Sequence, residues 1–231
     1  MKLPKIFMPE KNLEKNLEKL LSKKRLVHEE QYVFEHIRLD GGFKNWYRDH
    51  NLKKPFDEGL KSLRKEGYER HILPWEYSQI IISHYECKLS EKFDSVVKNI
   101  IHSFGEWFSM ALRREGNRLY CFVNPENIGW NRYTKTYNTG DDFNSSYVEI
   151  LDVTGIPSEE WVNLEHFNDD FVKFFTTRKF KDLPAEMQNG VYLPPEGMLW
   201  PVGRSDGGDF SICGYVHDRV SRGVKEKDEN T

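Results

Sequence analysis

Between Ser90 and Glu115 ten apolar residues, Phe93, Val96, Val97, Ile100, Ile101, Phe104, Trp107, Phe108, Ala111 and Leu112, recur three and four apart before Gly116. Side chains at that spacing form one stripe on a 3.6-residue repeat, the mark of a helix with a buried face. Over 90–115 such a helix would run about 39 Å at 1.5 Å per residue, enough to cross the whole molecule. The pattern predicts a long central helix and makes everything before and after it an attachment to that rod.

Before the rod, the chain reads as helices. Leu13, Leu17, Leu20 and Leu21 make a stripe that Asn12 is placed to cap. Residues 29–39 repeat the pattern and stop at Asp40-Gly41-Gly42, and 43–50 form a short helix around Phe43, Trp46 and Tyr47. A further helix spans 55–66. Pro55 stands where the missing N–H costs nothing, Asp57 and Glu58 lie in the first turn, basic residues fill the last turn, and Gly67 ends it. "YERHIL" and "YSQIIISHYE" then read as a hairpin around Pro74-Trp75-Glu76, because the β-branched run Ile80-Ile81-Ile82 favours a strand.

After the rod the period changes to that of strands. "RLYCFVN", "NRYTKTY" and "YVEILDV" read as strands separated by turns at 125–129 and 138–142, the first two close enough to form a hairpin. Pro157 opens a short helix ending near Leu164, and Asn168 caps another that buries Phe171, Val172, Phe174 and Phe175. "MLWPVG" and "DFSICGYVH" form a hairpin around the glycine-rich 204–208, with Pro201 confining its strand to a sheet edge. The resulting class is α+β. A helical part with a small hairpin occupies 1–88, the long helix and an antiparallel sheet with short helices occupy 89–218, and a frayed polar tail covers 219–231.

Composition narrows the setting. Cys87, Cys121 and Cys213 show no CxxC spacing, which argues against a disulfide framework or thiolate zinc site and for a reducing, cytoplasmic environment. No apolar run has the length of a membrane span or signal-peptide core, so no membrane partner is expected. Three Gln and two Ala beside abundant Lys and Glu suit a protein working at high temperature. The net charge of −3 hides an asymmetry: residues 1–70 carry 17 basic and 12 acidic groups, so the acidic excess lies in the remainder. A local positive excess of that kind steers anionic partners.

The first three helices after residue 28, with the strand pair behind them, follow the element order of a winged helix-turn-helix, in which the third helix enters the major groove. Its outward face carries Lys53, Lys54, Lys61, Arg64 and Lys65, while Phe56, Leu60 and Leu63 face inward. Lysine and arginine displace counterions from phosphates, so these five are the candidate contacts to DNA or RNA, for a nucleic-acid-binding protein with a regulatory role as one option. Asn124-Pro125-Glu126 with Trp130 and Tyr133 offer an aromatic ledge for stacking a base.

Two other readings stand beside this one. Asp141, Asp142 and Glu149, with His166 or Asp169 as helpers, are the carboxylates a Mg²⁺- or Mn²⁺-dependent phosphodiesterase or nuclease would gather. The third reading is a structural or interaction protein without catalysis or cofactor. No GxxxxGK[ST] loop, HExxH pair or GxSxG elbow is present, and His217-Asp218 is a neighbouring pair that could orient a base. The residues do not indicate an oligomeric state.

Overall fold

In a computed structural model of the chain, the described residues are Ile37, 54–86, 90–101, 105–204, 212–214 and 220–225. The predicted helices at 12–24 and 43–50 lie outside them. Of the predicted helix 29–39 only Ile37 is described, and it forms an antiparallel bridge to Val224.

The elements run α1 (Phe56–Lys65), β1 (Arg70–His71), α2 (Pro74–Tyr85), α3 (Glu91–Ile101) and β2 (Glu106–Glu115). Then come β3 (Arg118–Val123), β4 (Glu126–Asn131), β5 (Thr136–Asn144), β6 (Tyr147–Asp152), β7 (Trp161–Asn163) and α4 (Asp169–Thr176). The chain closes with β8 (Gly190–Tyr192), β9 (Leu199–Gly203), β10 (Ile212–Gly214), β11 (Val220–Ser221) and β12 (Gly223–Val224). The class is α+β, as the sequence indicates. An eight-stranded sheet has the order β6-β3-β2-β9-β10-β8-β7, with β11 added parallel to β2. Two ribbons stand apart from it, β1–β12 and β4–β5. No helix among the described residues is long and apolar enough to cross a membrane.

The predicted rod is two elements. Residues 91–101 are helical, but 106–115 form β2, which lies between β3 and β9 in the sheet. The reason is burial on both faces. Phe108, Met110 and Leu112 point into the main core with Leu119, Cys121 and Val123 of β3, whereas Trp107, Ala111 and Phe122 join a smaller core on the opposite face. A strand covered on both sides reads as a nearly continuous apolar run, and residues four apart share a face in a strand as they nearly do in a helix.

The predicted hairpin strand at 77–86 is likewise α2, in which Pro74 through Ile82 are all buried. Surrounded by core, Ile80-Ile81-Ile82 need not alternate, so tertiary burial overrides the preference of branched side chains. The start of α2 is set by Pro74 in its first turn and by Glu76, whose carboxylate accepts from the Leu73 N–H at 2.8 Å. With 77–86 helical, β1 pairs instead with β12 from the C-terminal segment, and the wing of the expected winged helix is not formed there.

Four smaller expectations also change. Residues 161–163 form β7 rather than a helix, because they find a partner in β8. The predicted turns at 125–129 and 138–142 lie largely within β4 and β5, whose own turn is Arg132–Lys135; there Asn131 Oδ1 accepts from the N–H groups of Tyr133 and Thr134. Pro201 is not on an edge strand: β9 lies between β2 and β10, and among the described residues β10 pairs with Val202 and Gly203 but not with Pro201, so none of those pairings needs its missing N–H. The antiparallel β9–β10 pairing itself agrees with the predicted hairpin. Finally, Val220–Val224 is paired rather than frayed, held by a buried Arg222–Glu106 ion pair at 2.5 Å.

The main core draws on both sides of the predicted boundary at residue 88, joining Ile72, Trp75 and Ile80 to Phe108, Phe171 and Val191. The smaller core positions the site. Phe56 and Leu60 of α1, Trp107 and Ala111 of β2, Phe122 of β3, and Ile128 and Tyr137 of the β4–β5 ribbon pack together, so helix and ribbon lie side by side on one face of the sheet.

Candidate functional site

The start of α1 is held by aromatic side chains that donate and accept hydrogen bonds. Trp107 Nε1–H donates to the Lys54 carbonyl at 2.8 Å, and the Phe56 N–H donates to the Tyr137 hydroxyl at 3.2 Å. Beneath the helix, His71 Nε2 lies 3.2 Å from the Phe56 carbonyl. Burial drives the His71 pKa down to about 4, with a smaller contribution from the nearby Arg64 charge and an opposing one from the Phe56 carbonyl. The imidazole is therefore neutral at pH 7 and serves as packing. At the other end, Gly67 at φ +84° lets the chain leave the helix, and the Tyr68 N–H donates back to the Leu63 carbonyl at 3.0 Å.

With both ends fixed, α1 presents a defined outer face. Phe56, Gly59, Leu60 and Leu63 are buried, and Lys61, Arg64 and Lys65 are exposed, the partition its sequence predicts. Between this helix and the ribbon lies a cleft of about 800 Å³. Lys61 and Arg64 line it from the helix, and Trp130, Arg132 and Tyr133 line it from the ribbon. A second cleft of about 520 Å³, walled by Tyr68, Ser109 and Asn124, adjoins it across Arg64 and Glu126.

The structure thus brings the helix cations and the predicted aromatic ledge to one place. Trp130 packs against the buried Tyr137 with ring centres 4.9 Å apart, which fixes its orientation and leaves it half-buried. Tyr133, at the tip of the ribbon, is 99% exposed. The tip is ordered by its own hydrogen bonds, including a Thr134–Thr136 hydroxyl contact at 2.6 Å.

Each cation of the cleft faces a carboxylate. Arg64 meets Glu126 at 2.6 Å, Arg132 meets Glu58 at 3.1 Å, and Lys61 meets Asp57 at 3.7 Å. The four described members of the predicted contact set accordingly do not form one open cationic surface. Lys54 donates to Ser62 Oγ at 2.7 Å, Lys65 stands exposed in the last turn, and Lys53 lies outside the described residues. Glu126 belongs to the predicted ledge, but its pairing with Arg64, and the Arg132–Glu58 pair, are not foreseen by the sequence. Contacts 62 and 74 residues apart leave no local signal, although Arg132 beside Tyr133 is the cation-next-to-aromatic pattern that points to stacking.

Among the described side chains, the members of the alternative carboxylate set are each engaged separately. Asp141 and Asp142 belong to strand β5 rather than to a turn, and their side chains lie outside the described residues. Glu149 accepts from the Tyr147 hydroxyl. Asp152 accepts from the N–H and hydroxyl of Thr154, which hold its carboxyl below the usual range, and Asp169 is held low by Lys179 at 2.8 Å. His166 contacts Glu165. Among the described residues no group of three or more His, Cys, Asp or Glu could hold a metal ion. Cys121 is buried, and burial together with the Glu149 charge pushes its thiol well up, which disfavours the thiolate a nucleophile needs. His217-Asp218 lies outside the described residues.

Comparisons with protein-family models, characterised proteins and solved structures yield no match.

Proposed function

We propose that this chain binds nucleic acid, and that it holds a single strand in the cleft between α1 and the β4–β5 ribbon. What carries the reading is the meeting of Lys61 and Arg64 with Trp130, Arg132 and Tyr133 along one cleft, since these features lie far apart in the sequence. Single-strand binders combine a cationic groove for the backbone with aromatic rings on which bases stack, and both kinds of group are present here. Geometry favours a single strand over a duplex. A recognition helix has to project freely into a major groove, whereas α1 is flanked by the ribbon and tied to it by two ion pairs.

The test is anisotropy titration of dye-labelled single-stranded DNA and RNA oligonucleotides, with duplex of the same sequence for comparison. Affinity is expected to fall linearly with salt on logarithmic axes. Replacing Lys61, Arg64 and Arg132 together by alanine is expected to make the slope shallower by roughly 2, at about 0.7 per lost phosphate contact on a single strand. Equal binding by the triple variant would remove the cleft as the contact, and a preference for duplex would restore a groove-reading helix.

A further inference from the structure

The two ion pairs across the cleft have opposite sense. Arg64 of the helix reaches Glu126 of the ribbon, while Arg132 of the ribbon reaches Glu58 of the helix. Glu58 and Arg64 lie six residues apart on α1, so the two bridges are about 9 Å apart along the helix axis. Between them Lys61 is engaged by Asp57 from its own helix. Every cation that lines the cleft is thereby paired with a carboxylate.

We infer that Glu58 and Glu126 form an autoinhibitory latch, competing with phosphate for Arg132 and Arg64 and so setting the affinity and salt response of the cleft. The inference rests on the nucleic-acid reading above and specifies how that site is regulated. Both pairs can exchange. The side chains are 49% and 47% exposed for Arg64 and Glu126, and 76% and 45% for Arg132 and Glu58, so water reaches all four. Ion pairs of this kind are weak and screened by salt, which makes them a tunable brake rather than a lock. A strand entering the cleft swaps each arginine from carboxylate to phosphate and leaves the freed glutamate in water. The opposed arrangement also makes the brake double, because losing an acid from one wall releases only one of the two cations.

The latch predicts gain of function. Glu58→Gln and Glu126→Gln keep the shape and remove the charge, and each is expected to tighten oligonucleotide binding roughly threefold at low salt, the scale of an exposed ion pair. The gain should fade as salt screens the pairs. Glu165→Gln, an exposed acid outside the cleft, controls for the overall change in charge. Tightening confined to the two cleft variants supports the latch, as does binding that appears only in them. Unchanged affinity in both, or an equal gain in Glu165→Gln, overturns the latch while leaving the binding reading intact. Absence of binding by wild type and all variants overturns both.

Discussion

Replacing Tyr133 with alanine separates the work of the site from the work of the fold. The ring is 99% exposed, so its removal uncovers no buried surface and takes away no packing. The turn that carries it depends on Asn131 Oδ1 accepting from the Tyr133 and Thr134 backbone N–H groups, and alanine retains both bonds. Thermal unfolding should therefore be unchanged within about 1 °C, the behaviour of a surface position away from caps, cavities and networks. Binding is a different matter. A base stacked on one aromatic ring contributes enough that alanine there lowers affinity by roughly fivefold to a hundredfold. Anisotropy titration at constant salt measures this loss, which should appear in the intercept rather than the salt slope, because no charge has changed. Tyr133→Phe keeps the ring and should bind as the wild type does. Wild-type affinity in Tyr133→Ala would refute the stacking role, and an altered melting temperature would show that the tip does structural work these contacts do not reveal.

Two predictions concern the frame behind the cleft. His71 has its folded pKa lowered to about 4, below the unfolded 6.5, so the unfolded chain takes up the proton first and stability is lost as pH falls. Between pH 7 and pH 5 the loss from this group should be about 2 kcal/mol, seen in urea midpoints and absent in His71→Phe; a flat midpoint over that range would contradict a buried neutral imidazole. Arg222→Met leaves Glu106 buried without this counter-charge, with an expected cost of about 3–5 kcal/mol. Much of the loss should return in Glu106→Leu/Arg222→Met; a single variant within about 1 kcal/mol of wild type would show that the pair does not secure the C-terminal strands.

Local chemistry was legible in the sequence. Pro55 and Gly67 bracket α1, and Asn168 caps α4 through its bond to the Phe171 N–H, since each depends on residues within a few positions. Where both sides of an element are covered, that legibility failed. β2 passed for a helix and α2 for a strand, because burial all round removes the polar half of the pattern from which period is read. The ribbon was missed for a different reason: Asn, Thr, Gly and Asp in "YNTGDDFN" favour turns, and only pairing with β4 holds them extended.

The same division runs through the site. Sequence alone determined that α1 would turn Lys61, Arg64 and Lys65 outward, because helical geometry assigns faces without knowing what lies beyond them. It also marked Trp130 and Tyr133 as rings available for stacking. Only the tertiary structure decided that Lys61, Arg64, Trp130 and Tyr133 share a cleft, and that Glu58 and Glu126 hold its arginines. Charge pairing acts over a few ångströms of space, and the chain reaches those distances only after packing on Phe56, Trp107 and Tyr137 has set helix and ribbon side by side.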